Sequence, residues 1–112
     1  MNPRLDVVTV SCRDARALSA FWSALLGTTV RGEFGQYVGL VPVGGVRMVF
    51  QQVDDPGPAG RTHVDLDTHD LEADTALALS LGATVVQDVT DFGVTWRVLA
   101  DPEGNAFCLV PA

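Results

Sequence analysis

The chain contains no lysine; its seven basic residues are all arginine. Schiff-base chemistry on a lysine and a lysine general base are therefore excluded. Positive charge is scarce altogether, since fourteen acids leave a net charge of −7. The deficit is lopsided: residues 1–55 carry five acids and five arginines, whereas residues 56–112 carry nine acids and two arginines. A polyanion would be repelled by the second half, and no basic patch offsets this, so nucleic acid is excluded as a partner. Cysteine is limited to Cys12 and Cys108, with no CxxC, which suggests two reduced core residues rather than a disulfide or a redox motif. No apolar run approaches the roughly 18 residues of a membrane-spanning helix, so no membrane partner is expected. Residues Met1 to Asp6 lack a signal-peptide pattern, because strand-like sequence begins at once, and a cytoplasmic location is expected.

What is present is a near-repetition. An Asp-led helical stretch ends in Leu26-Gly27-Thr28-Thr29-Val30, and a second ends in Leu81-Gly82-Ala83-Thr84-Val85. Repeats of this size set the architecture. Each half would be marginal alone, because a chain of about 55 residues buries too little surface. The expected organisation is one domain over 1–112, with module one at 1–54, a Pro/Gly-rich linker at 55–60 and module two at 61–112. Leu5 to Val10 is β-branched and reads as a strand. Asp14 caps a helix over Ala15 to Leu26, in which Leu18, Phe21, Trp22, Leu25 and Leu26 form one apolar stripe. Gly27 suits the left-handed residue that closes it. Strands follow near Val30, over Tyr37 to Val41 and over Arg47 to Val53. The second module repeats the order: a strand over Arg61 to Asp67, an Asp70-capped helix over Leu71 to Leu81, and strands near Val85-Val86, over Thr95 to Leu99 and over Ala106 to Val110. Ala73, Ala76, Leu77 and Leu81 are the expected inward residues of this second helix. Asp101-Pro102-Glu103-Gly104-Asn105 suits a tight turn between the last two strands.

The doubled βαβββ order, Phe21-Trp22 with Leu25-Leu26-Gly27, the His63-Val64-Asp65-Leu66 strand and the turn running into Ala106-Phe107 together resemble the vicinal oxygen chelate superfamily. This is the group of glyoxalase I, bleomycin-resistance proteins and extradiol dioxygenases, and the small glyoxalase-like domain proteins are the nearest match. The resemblance covers nearly the whole chain. It implies an α+β fold of two tandem modules forming a cupped, barrel-like mixed sheet with helices outside. It also implies a cup that holds a divalent metal in the family's enzymes, with ligands at positions matching Val7, Gln51, His63 and Cys108. Val7 cannot ligate and Gln51 is a weak neutral donor, so no cofactor is expected; a metal, if one binds, would use His63, Gln51 and Cys108, with Asp65 or a partner subunit supplying a further ligand.

Alternation along a strand puts His63, Asp65 and Asp67 on one face. His63 and Asp65 are the candidate catalytic pair, as general base and orienting group; the alternatives are a hydrogen-bonded cavity histidine and an Asp65 paired with Arg47 or Arg61. Tyr37, Arg47, Gln51, Trp96 and Arg97 are candidate ligand-binding residues, an arginine facing the cup being suited to a carboxylate or phosphate. For Arg97 the alternative is an ion pair with a nearby acid. Three functions compete. The leading one is a small-organic-molecule binder, acting by sequestration or metal-free acid–base catalysis. The second is a metal-dependent lyase, isomerase or dioxygenase acting on vicinal oxygens. The third is an accessory homodimer that works through protein contacts, and a homodimer is expected in each case.

Overall fold

The computed structural model describes residues 4–60 and 62–112. They form an α+β fold of two tandem βαβββ modules, in two compact units, Met1–Pro56 and Gly57–Ala112. The eight strands make two open four-stranded sheets rather than one closed barrel. Arg61, expected to open the fifth strand, lies outside the described residues.

Module one contains β1 (Val7–Cys12), α1 (Ala15–Leu26), β2 (Val30–Phe34), β3 (Tyr37–Leu40) and β4 (Arg47–Gln52). Its sheet order is β1-β4-β3-β2, with β1 parallel to β4 and the other pairings antiparallel. α1 spans the residues expected for it. The Asp14 side chain accepts a hydrogen bond from the Ala17 amide, and Gly27 ends the helix at φ 67°. Leu18, Phe21 and Trp22 are buried against Cys12, Val38, Leu40 and Phe50, which share one face of the sheet by register. Phe21 and Trp22 meet edge to face at 5.4 Å. The Gln52 side chain accepts from the Ala15 amide, and Arg16 forks onto Glu33, tying the helix to β4 and β2.

Module two contains β5 (Val64–Thr68), α2 (Leu71–Ser80), β6 (Thr84–Asp91), β7 (Val94–Ala100) and β8 (Ala106–Pro111), with sheet order β5-β8-β7-β6. Asp70 caps α2 through the Ala73 amide. The inward face of α2 differs from expectation. Thr75 and Ala78 are buried, whereas Ala73, Ala76 and Leu77 are exposed. The reason lies in composition: apolar residues surround this short helix on every side, so periodicity selects no face. Polar contacts select it instead. Thr68 donates to Asp74 and accepts from the Asp70 amide, and Thr75 accepts from Arg97. Asp101 is buried in the expected turn, where its carboxylate accepts from the amides of Glu103 and Asn105 and from the Asn105 side chain.

Both modules carry a register shift at the same place in the repeat, between Val30 and Gly32 in β2 and between Val85 and Gln87 in β6. A bulge re-aims a side chain. The residue inserted is Arg31 in module one and Val86 in module two.

Candidate functional site

Register separates each sheet into a face covered by its helix and a face without one. In module one the latter holds Val7, Thr9 and Ser11 of β1, Arg47, Val49 and Gln51 of β4, Tyr37 and Gly39 of β3, and Gly32 and Phe34 of β2. An open cleft of about 390 Å³ is lined there by Arg31, Gly32, Phe34, Tyr37, Gly39, Arg47 and Val49. The glycines belong to its construction. A Cβ on Gly39 would sit 3.2 Å from the Arg47 guanidinium, and one on Gly32 would sit 3.2 and 3.4 Å from the Phe34 ring. Both flat groups therefore lie close over the sheet where no side chain intervenes. Phe34 is 72% exposed and Tyr37 40% exposed.

A larger cleft, about 550 Å³, opens at the start of α1 among Arg13, Asp14, Arg16, Glu33, Gln52 and Asp54. Its polar groups already serve one another: Asp14 and Gln52 cap the helix and Arg16 pairs with Glu33. In the smaller cleft, by contrast, the arginines and rings make no such contacts with the described residues.

Module two presents different chemistry on the corresponding face. Asp65 pairs in register with Cys108, and Cys108 with Val98. His63 Nε2 lies 3.4 Å from Asp65 Oδ1, and these side chains are 57% and 62% exposed. One donor atom from each of His63, Asp65 and Cys108 lies within 4.8 Å of the other two. Cys108 is buried. Burial first, and then the hydrogen bond and negative charge of Asp65, push its thiol above the usual range. Trp96 is half-buried on this same face, by its alternation with Val98.

The structure thus brings Tyr37 and Arg47 together with Arg31 and Phe34, and His63 and Asp65 together with Cys108. Gln51 neighbours Tyr37 across β3 and β4 but stands outside the cleft lining. Within module two, Asp65 joins His63 and Cys108 in one donor cluster. Arg97 shows the alternative stated for it, an ion pair with nearby acids. It lies on the helix-covered face, where it forks onto Asp88 and donates to Glu72 and Thr75. The Asp88 hydrogen bond holds the Arg97 pKa up, and Arg97 in turn holds the Asp88 carboxyl below its usual range. The strand alternation running Trp96, Arg97, Val98 carried this placement in the sequence, since Trp96 and Arg97 cannot share a face. Arg31 was not legible in that way, because the bulge that brings it to the cleft breaks the alternation.

Residues 7–110 match the model of the glyoxalase-like domain family. The chain belongs to that family. With it come the α+β module pair and membership of the glyoxalase/bleomycin resistance/dioxygenase superfamily. No protein of curated function matches this glyoxalase-like chain significantly in sequence. Among solved structures it is similar to a glyoxalase/bleomycin resistance protein/dioxygenase family enzyme from Burkholderia phytofirmans PsJN, at 20% identity and TM-score 0.84 over 97% of this chain and 98% of that one. It is also similar to the fosfomycin resistance protein FosX of Listeria monocytogenes complexed with Mn(II) and sulfate, at 11% identity and TM-score 0.82 over 100% and 91%. A third is lactoylglutathione lyase from Agrobacterium tumefaciens, at 16% identity and TM-score 0.75 over 99% and 95%. At these identities the likeness is one of fold.

The donors of module two can be tested against a metal on their own chemistry. An imidazole, a carboxylate and a thiol converging on one point match the three-ligand pattern of zinc sites that keep a fourth position open. The set is soft and borderline, suited to zinc rather than to magnesium or calcium. Because the Cys108 thiol is held protonated, uptake of an ion would release that proton.

Proposed function

We propose that this glyoxalase-like protein binds a small organic molecule on the open face of module one, without requiring a metal. The single observation behind this reading is the cleft over Gly32 and Gly39, whose two guanidiniums and two rings make no ion pair or ring contact with any described residue. Its volume lies within the range of about 300–1,000 Å³ typical of small-molecule sites. Binding takes the form of sequestration in that cleft. A thermal-shift screen of a chemically mixed library, run with and without a chelator, tests it. Hits that persist in chelator and weaken in Arg47→Gln support the reading; a screen without hits, or with hits only in the presence of metal, overturns it.

A second reading is carried by the His63, Asp65 and Cys108 cluster: a divalent-metal-dependent lyase, isomerase or dioxygenase acting on vicinal oxygens. A bound zinc-type ion would supply Lewis acidity toward substrate oxygens. Elemental mass spectrometry after reconstitution decides between the two. About one ion per chain, lost in His63→Ala, favours the second reading, and no ion under any condition retires it. The protein is proposed to work as a cytoplasmic homodimer, which sedimentation and fractionation would check.

A further inference from the structure

We infer that the ligand of the module-one cleft is a small aromatic acid, a flat ring carrying one carboxylate. The inference rests on the small-molecule reading above and narrows it to a chemical class.

The first support is charge. In a chain of net charge −7 the arginines have many acids available. Arg16 is paired with Glu33, and Arg97 with Asp88 and Glu72. Arg31 and Arg47 make no ion pair with any described residue, although they lie at one cleft. Arg47 is half-buried and has no counter-charge among the described residues. A carboxylate ligand supplies that charge with matching fork geometry.

The second support is shape. Phe34 and Tyr37 pair across β2 and β3 and share the face with Arg47. Such rings beside cations often stack on them, which would make the cleft self-satisfied. Here neither Phe34 nor Tyr37 makes a ring contact with a described residue, and the Phe21–Trp22 pair lies on the other side of the sheet. The rings and guanidiniums of the cleft are left for a third party. Gly32 and Gly39 keep the floor flat beneath them. A planar ring fits between such groups better than a branched aliphatic chain, and it removes exposed aromatic surface from water.

Tyr37 is the only tyrosine in the chain, which makes the test local. The chain is produced with 3-fluorotyrosine, so one ¹⁹F signal reports on the cleft. It is titrated with benzoate and cinnamate, with their neutral amides, and with cyclohexanecarboxylate. Saturable movement of the signal by the aromatic acids is expected, with the amides weaker by about tenfold or more. Arg47→Gln should weaken the acids by a similar factor and leave the amides unchanged. Arg47→Lys, which keeps the charge and loses the fork, should fall between. Amides that bind as well as acids overturn the carboxylate, and an equally strong cyclohexane acid overturns the ring. If neutral or cationic members of the mixed library move the signal and acids do not, this inference fails while the small-molecule reading stands. If nothing moves it, both fail.

Discussion

Module one and module two share strand order, a bulge at the same repeat position, an Asp-capped helix and a conserved division into covered and open faces, yet their open faces carry opposite chemistry. Module one presents arginines and aromatic rings over glycines; module two presents an imidazole, carboxylates and a buried thiol. The helices diverge too. α1 buries one apolar stripe with Trp22 at its centre, whereas α2 buries Thr75 and Ala78 and leaves Leu77 and Leu79 exposed. What is duplicated is the pairing and capping that build the fold. The side chains proposed for binding lie on faces whose identity the fold does not constrain, so they are free to differ.

The strongest way to break this comparison is to cross its two sites. Arg47→Gln should weaken acid binding by about tenfold and leave any zinc uptake unchanged, while His63→Ala should remove any zinc uptake and leave acid binding unchanged. Isothermal titration of both ligands into both variants would show it, and a variant that loses both functions would mean that the two faces are not independent. The helix cores offer the next contrast. Trp22→Ala in module one should cost about 3–5 kcal/mol of stability in urea, the range for truncating a buried large aromatic. Leu77→Ala on the exposed side of α2 should change it by no more than about 0.5 kcal/mol. Equal costs would mean that α2 is covered in solution.

The hairpins sharpen the comparison at a smaller scale. In module one Gly35 takes the positive φ, 58°. In module two the loop is Phe92-Gly93, with φ 51° and 73°, and Phe92 is 91% exposed. Two positive φ values are the mark of a type I′ turn, which favours Asn-Gly. Phe92→Asn should therefore stabilise the protein by about 0.5–1 kcal/mol, measured by chemical denaturation. No gain would mean that the Phe92 ring has a contact in solution that offsets its backbone strain.

The smallest effect concerns the Arg97 fork. Asp88 has a depressed pKa in the folded state, so its contribution is present above the unfolded carboxylate value, about 3.9, and is lost as pH falls through the folded one. Asp88→Asn should lower stability slightly at neutral pH and flatten the acid limb below about pH 4. An unchanged acid limb would show that screening by solvent erases the pair.

Much of this fold was legible in residue pattern. The Asp14 and Asp70 caps, the Gly27 stop, the α1 stripe and the Asp101 turn follow from local sterics and hydrogen bonding, which act over a few residues. Alternation also suggested that His63 and Asp65 share a face, although His63 stands just before β5, which begins at Val64. The α2 face was misread because its apolar residues do not cluster and its polar anchors, Thr68 and Arg97, come from other strands.

The sequence by itself determined the βαβββ repeat, the absence of lysine chemistry and the limits that an acidic surface sets on partners. Tertiary structure alone decided that Arg31 and Arg47 meet at one cleft and that the acids paired with Arg97 are Asp88 and Glu72. The physical reason is register. Which residues share a face across strands depends on bulges and on long-range pairing, and a shift of one position sends a side chain to the opposite side of the sheet.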